Sequence, residues 1–137
     1  MRFLTVRGLL LLLVPSVIVL LVSLATLAME KGEENSQIEE LRTVQSAVIV
    51  MMVENNLRLL PSPVKQPTAD MSAFPDPDTP AEYKGLARTG NPGFVLRDHG
   101  MAGPDGIITG INYISIPFTN WTYNANFSGL VTQGPRQ

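Results

Sequence analysis

The chain has no cysteine, which excludes disulfide bonds, thiolate metal ligands and cysteine nucleophiles. It has a single histidine, His99, in the stretch Leu96-Arg-Asp-His-Gly. No phosphate-binding glycine loop, zinc-protease motif or hydrolase serine motif occurs in the sequence. A lone Asp-His pair without a nucleophile motif is typical of a hydrogen bond within a loop. The sequence therefore predicts a protein that is not an enzyme and has no cofactor.

Basic charge is also scarce, with 10 Lys and Arg against 12 Asp and Glu and a net charge of −2. No run of basic residues is interleaved with aromatic residues, so we predict no nucleic-acid partner. The mean hydropathy of +0.14 is high for a soluble domain. Most of the excess lies before Glu30, whereas proline and glycine fall mostly after Leu60. The two halves of the chain thus differ in character.

The N-terminal segment has the features of a membrane span. Residues 1–8 form a basic leader, and no charged residue occurs from Gly8 to Met29. As a helix this stretch would be about 30 Å long, enough to cross the apolar core of a bilayer. Acidic residues follow it, so the charge distribution predicts a cytoplasmic N-terminus and an extracytoplasmic remainder. We assign residues 9–29 to a transmembrane or filament-core helix.

Three fates of this segment fit the sequence. It is a retained anchor, a signal peptide cleaved near Thr26-Leu27-Ala28, or a prepilin-like leader cut between Gly8 and Leu9. Pro15 interrupts the regular hydrogen-bond ladder of a helix, which membrane helices tolerate. All three alternatives place the rest of the chain outside the cytoplasm.

Residues 30–60 predict an amphipathic continuation of this helix. Ser36 and Glu39 have the spacing of a capping box, Gly32 is a candidate break, and Pro61 and Pro63 are expected to end the helix. Apolar residues recur at steps of three and four, the period of a helix. They are Ile38, Leu41, Val44, Val48, Met51, Met52 and Leu59.

One part of this helix, Ala47 to Val53, is apolar on every side. Such a stretch needs cover on more than one side. The C-terminal domain can cover one side, and a neighbouring copy of the chain can cover the rest. The alternative is that the C-terminal domain wraps the helix completely.

Residues 61–137 predict a loop-rich β domain. Loops reach to Gly93, with one helical turn near Pro80, and short strands are expected at 93–97, 106–116, 119–123 and 129–132. The stretch 124–129 is typical of a hairpin loop. Trp121, Tyr123, Tyr113 and Phe118 supply large side chains for packing. We expect an α+β fold in which the long N-terminal helix packs on a small antiparallel sheet.

Acidic residues cluster loosely in the proline-rich loop. Ca²⁺ takes several oxygen ligands, so Asp76, Asp78 and Glu82 are candidate calcium ligands beside Asp70. Their spacing matches no set pattern, and solvated loop carboxylates are the favoured interpretation.

Two triplets, Asn120-Trp-Thr and Asn126-Phe-Ser, match the acceptor pattern for N-linked glycans. Both lie in the predicted C-terminal hairpin. Their proximity predicts that this hairpin is exposed at the surface.

Three stretches resemble type IV pilins and type II secretion pseudopilins. Glu40-Leu-Arg-Thr-Val-Gln-Ser-Ala-Val resembles the exposed half of a pilin's first helix, and Met52-Val-Glu-Asn-Asn-Leu followed by Leu60-Pro-Ser-Pro resembles its end. Trp121-Thr-Tyr-Asn-Ala-Asn-Phe-Ser-Gly-Leu-Val is similar to the final hairpin of many such proteins. In that family a glutamate five residues past the cleavage site pairs with a neighbour's amino terminus. Leu13 stands there, where the chain departs from the family pattern.

The resemblance implies a structural subunit of an extracellular pilus-like filament or pseudopilus, assembled as a homo-oligomer through its N-terminal helices. It implies membrane anchoring before assembly and an extracytoplasmic C-terminal domain. The alternative is a membrane-anchored or secreted binding module that does not polymerise. The residues expected on the assembly helix are Leu13, Pro15, Val48, Met51 and Met52.

Overall fold

The computed structural model describes residues 6–80, 82–83, 93–97 and 112–137, with side chains described from Val17 onward. The described part forms two units, Met1–Ile38 and Glu39–Gln137. Its elements are α1 (Val6–Glu54), β1 (Thr68–Asp70), β2 (Pro75–Asp76), β3 (Phe94–Val95), β4 (Phe118–Ala125) and β5 (Val131–Arg136). The predicted α+β class, a long N-terminal helix packed on a small antiparallel sheet, is confirmed.

In the first unit, α1 is uninterrupted at both Pro15 and Gly32, so Gly32 does not break the helix. The large apolar side chains from Val17 to Met29 are 52–76% exposed. None of the helices in the described residues combines the length and the apolar character needed to cross a membrane. The leader at 1–8 and the membrane-spanning assignment of 9–29 stay predictions.

The C-terminal end of α1 differs from the expectation that prolines stop it. The helix ends at Glu54, because Asn56 adopts a left-handed backbone conformation with φ 53°. The Leu57 amide then donates to the Met52 carbonyl at 2.8 Å, and the Asn56 amide donates to the Val53 carbonyl at 3.1 Å. These two bonds make a Schellman motif, which satisfies carbonyls that the helix leaves free.

The second unit contains a three-stranded antiparallel sheet in the order β1-β4-β5 and a separate β2-β3 pair. The predicted strands at 119–123 and 129–132 correspond to β4 and β5, and the predicted strand at 93–97 contains β3. Strands β1 and β2 were not predicted. Of the expected strand at 106–116, the structure describes only residues 112–116, which contain no strand.

The hydrophobic core of this unit lies between α1 and the sheet. Residues at alternate positions of β4, including Trp121 and Tyr123, are buried against the helix. Phe118 is out of phase with them and is exposed, so the expectation that it packs in the core is wrong. Other buried members are Val44, Val48, Met51, Leu60, Met71, Phe74, Leu96, Ile114 and Val131.

Candidate interaction surface

The apolar stretch Ala47–Val53 is divided by the fold into a buried side and an open side. The C-terminal domain covers Ala47, Val48, Met51 and Met52, each at most 7% exposed. Ile49, Val50 and Val53 are 53%, 48% and 70% exposed. We call these three residues the open face. The domain therefore covers one side of the helix and does not wrap it completely.

Three residues of the expected assembly helix lie on the buried side. Val48, Met51 and Met52 belong to the chain's own core and are 0–7% exposed, and their role in assembly stays a prediction. At 3.6 residues per turn they share one side of α1, and the open face lies on the other. The sequence carried a signal for the open face that the prediction did not use. Ile49, Val50 and Val53 are out of phase with the apolar stripe that precedes them.

The expected residues nearer the N-terminus lie within α1, but their side chains fall outside the described part. This applies to Gly8, Leu9, Leu13 and Pro15. Their assignments to processing and assembly stay predictions.

The C-terminal hairpin is fixed to the helix beside the open face by Gln45. Its Nε2 donates to the Gly129 carbonyl at 2.9 Å, and its Oε1 accepts from the Val131 amide at 2.8 Å. The side-chain amide thus satisfies two backbone groups where β5 begins, as a neighbouring strand would. The loop that precedes β5 exposes Phe127 and Leu130.

Shallow grooves flank the helix near the open face. One of about 420 Å³ runs between the helix and the hairpin and includes Ser46, Leu130 and Val131. Another of about 430 Å³ includes Ser46, Val50 and Tyr113. Arg42 lines both grooves, and Glu39 and Thr43 line the second groove beside it.

The position of the sheet on the helix depends on Glu40, which is only 9% exposed. Its carboxylate accepts from the Asn120 amide at 3.1 Å, the Asn120 Nδ2 at 2.8 Å and the Trp121 amide at 3.2 Å. The Tyr123 hydroxyl donates to it at 2.9 Å. A buried carboxylate is thus compensated by several directed donors, as burial of a charge requires.

The residues that donate to Glu40 lie on an irregular part of β4. The register of β4 shifts against β1 between Thr68 and Asp70, and against β5 between Trp121 and Tyr123. At such irregularities some backbone groups lose their ladder partners. The Glu40 carboxylate accepts from the Asn120 and Trp121 amides beside these irregularities.

Tyr123 completes this cluster. Burial raises the pKa of its hydroxyl well above the ordinary value of 10.0, and the hydrogen bond to Glu40 adds to the effect. The hydroxyl therefore stays protonated and donates a hydrogen bond to the carboxylate. It also accepts from Gln133 Nε2 at 2.7 Å, which joins β5 to the cluster.

The calcium candidates do not come together as a ligand set. Asp76 is fully buried, and its carboxylate accepts from the Ser62 amide at 2.8 Å and the Thr79 hydroxyl at 2.7 Å. Its oxygens thus organise the proline-rich loop, while Asp78 and Glu82 are exposed. Across residues 6–80, 82–83, 93–97 and 112–137, no group of three acidic or histidine side chains could hold a metal ion. His99 lies outside the described residues.

The Gln45 contacts give a direct test of the helix–hairpin attachment. Gln45→Glu keeps the acceptor for the Val131 amide but sets an oxygen against the Gly129 carbonyl. We expect the free energy of unfolding to fall by about 1–2 kcal/mol. Urea unfolding would measure this change, and Thr43→Ser on the exposed side of the helix is the control. An unchanged midpoint for Gln45→Glu would contradict the attachment.

The comparisons with known proteins give no relative for this surface. No family model, no curated protein and no solved structure matches the chain.

Proposed function

We propose that the protein is a structural subunit that self-associates through α1 and displays its sheet domain outside the cytoplasm, in the manner of a pilin or pseudopilin. The observation that carries this proposal is the open face. Ile49, Val50 and Val53 are exposed on a helix whose opposite side is fully used by the chain's own core. A clustered apolar surface of this kind marks an interaction site.

The energetics favour burial of this surface. Complete burial of a valine or isoleucine side chain contributes roughly 1.5–3 kcal/mol relative to exposure. Each half-exposed residue of the open face would thus add on the order of 1 kcal/mol on association. The apolar residues from Val17 to Met29 are exposed as well, so the same helix offers a second and larger surface for burial.

The attachments at Glu40 and Gln45 favour a structural role. They connect α1 to the hairpin through hydrogen bonds to both backbone and side-chain groups. Because the contacts are directed, the hairpin keeps a defined position beside the open face. A subunit that repeats in an assembly needs such a fixed relation between its contact surface and its displayed surface.

Substitution of the open face tests the proposal. Val53→Glu places a charge where a second copy would bury an apolar side chain, and we expect assembly of the full chain to be lost. The matched control is Thr132→Glu, which adds the same charge at an exposed position of β5. Negative-stain microscopy and sedimentation of native surface fractions would measure assembly. Urea unfolding would check that both variants remain folded.

The outcomes separate two classes of protein. Loss of sedimenting assemblies for Val53→Glu alone supports the subunit. Assembly that is equal in both variants would exclude the open face as the contact. A wild-type chain that stays monomeric in native fractions would instead favour the membrane-anchored or secreted binding module.

A cross-linking experiment identifies the occupant of the open face. The chain has no cysteine, so Val50→Cys introduces a unique site for a photoactivatable cross-linker. We expect a product of twice the chain's mass, from a second copy. The control is Thr132→Cys. A product containing only a different protein would contradict self-association.

A further inference from the structure

The two glycan acceptor triplets lie in different structural settings. Asn120 is on β4, and its Nδ2 donates to the Glu40 carboxylate at 2.8 Å. Its backbone amide donates to the same carboxylate, and its carbonyl accepts from the Gln137 amide. A sugar on Nδ2 would take the place of the Glu40 contact. The folded chain therefore protects Asn120 from modification.

Asn126 is in the exposed loop between β4 and β5 and has the opposite arrangement. Its Oδ1 accepts from the Ser128 hydroxyl at 2.7 Å and from the Leu130 amide at 3.0 Å. Both bonds use the oxygen, and within the described residues Nδ2 has no hydrogen-bond partner. The side chain is held in one orientation with its nitrogen directed away from its own loop contacts.

We propose that Asn126 is the acceptor of an N-linked glycan, transferred from a lipid-linked oligosaccharide pyrophosphate. In this step the Asn126 amide nitrogen attacks the anomeric carbon of the first sugar. The bond from that carbon to the pyrophosphate oxygen breaks, and its electron pair leaves with the lipid pyrophosphate. The proton from the amide nitrogen passes to a base of the transferase. No oxidation or reduction takes place.

The loop assists this chemistry through the hydroxyl of Ser128. A hydrogen bond donated to an amide oxygen withdraws electron density and makes the attached N–H easier to deprotonate. The donor here is the hydroxyl of the acceptor triplet itself, already in place at 2.7 Å. The Asn126 site is thus preorganised for transfer in the folded chain.

A glycan at this position is compatible with the rest of the fold. The hydrogen bonds of Gln45 use the Gly129 carbonyl and the Val131 amide, which the modification leaves unchanged. The first sugars would lie beside the exposed ring of Phe127 and would shield it from water. In the cell, modification requires the extracytoplasmic hairpin of the proposed function, but acceptance by the purified chain does not.

The test uses the purified full chain, a single-subunit oligosaccharyltransferase and a fluorescent lipid-linked oligosaccharide. Intact mass and site mapping would report how many sugars are added and where. We expect one glycan, on Asn126. Ser128→Ala, which keeps Asn126 but removes its triplet, should abolish transfer. Ser128→Thr should retain transfer, and Thr122→Val, which removes only the Asn120 triplet, should leave it unchanged.

Two results would overturn the proposal. One is no transfer to the folded wild-type chain under conditions that modify a control glycoprotein. The other is transfer to Asn120 at a comparable rate, which would mean that its contact with Glu40 offers no protection. Neither result bears on self-association, which Val53→Glu tests separately.

Discussion

Replacement of Glu40 by alanine is expected to lower the free energy of unfolding by about 3–5 kcal/mol. The variant leaves two backbone amides of β4 and the Tyr123 hydroxyl without their acceptor at a site that water hardly reaches. Each unsatisfied buried donor carries a desolvation cost of roughly 1–3 kcal/mol. Because the carboxylate accepts hydrogen bonds from three residues of one strand, Asn120, Trp121 and Tyr123, the losses fall on a single structural element.

Tryptophan fluorescence is a suitable measurement because Trp121 is the only tryptophan and its backbone amide donates to Glu40. Glu39→Ala is the matched control, since this neighbouring glutamate is exposed and its removal should change stability by less than about 0.5 kcal/mol. Equal urea midpoints for the two variants would show that Glu40 does not stabilise the attachment of the sheet to α1.

A double-mutant cycle assigns part of this loss to Tyr123. Tyr123→Phe removes the hydroxyl that donates a hydrogen bond to Glu40. The stability losses of the two single substitutions should not be additive, because both substitutions remove this same hydrogen bond. An interaction energy on the order of 1 kcal/mol is expected. Full additivity would mean that Glu40 acts only through the backbone amides of β4.

The second large effect is expected for Gly93→Ala, which should destabilise the protein by about 3 kcal/mol or more. Gly93 has φ +95°, a conformation that side chains disfavour. A Cβ atom there would overlap the Asp76 carbonyl oxygen and would lie 2.6 Å from the Pro77 carbonyl carbon. Both contacts are with backbone, so a rotamer change cannot relieve them.

Gly32→Ala is the matched control because the same change occurs where a Cβ meets nothing within 4 Å. Gly32 lies in the middle of α1, and alanine there should strengthen the helix by about 0.5–1 kcal/mol. Circular dichroism would follow helix loss for both variants. A Gly93→Ala variant with the same unfolding midpoint as the wild type would contradict the close approach of Gly93 to the Asp76–Pro77 backbone.

The long helix and the C-terminal hairpin could be predicted because their signals are local. Apolar residues at steps of three and four predict α1, and alternation around Trp121 and Tyr123 predicts β4. The helix end was misplaced because prolines are strong stop signals. Asn56 ends the helix earlier by adopting a positive φ, which asparagine tolerates and which no periodicity reveals.

The attachments between helix and hairpin could not be predicted, since they join residues far apart in the sequence. Glu40 and Gln45 look like ordinary polar positions of an amphipathic helix. Their roles depend on the register shifts of β4 and on where β5 begins. Which residues form the open face could not be predicted for a related reason, because an apolar run does not show which of its members the domain will cover.

These distant attachments also affect when the domain can fold. Glu40 and Asn120 are 80 positions apart, and Gln45 and Val131 are 86 positions apart. A chain synthesised from its N-terminus therefore makes these contacts only after β4 and the start of β5 have emerged. Until then, closing this long loop would lose conformational entropy with no stabilising contact to compensate for it. A domain that stays unfolded until β5 has emerged can pass through a narrow translocation channel without first being unfolded.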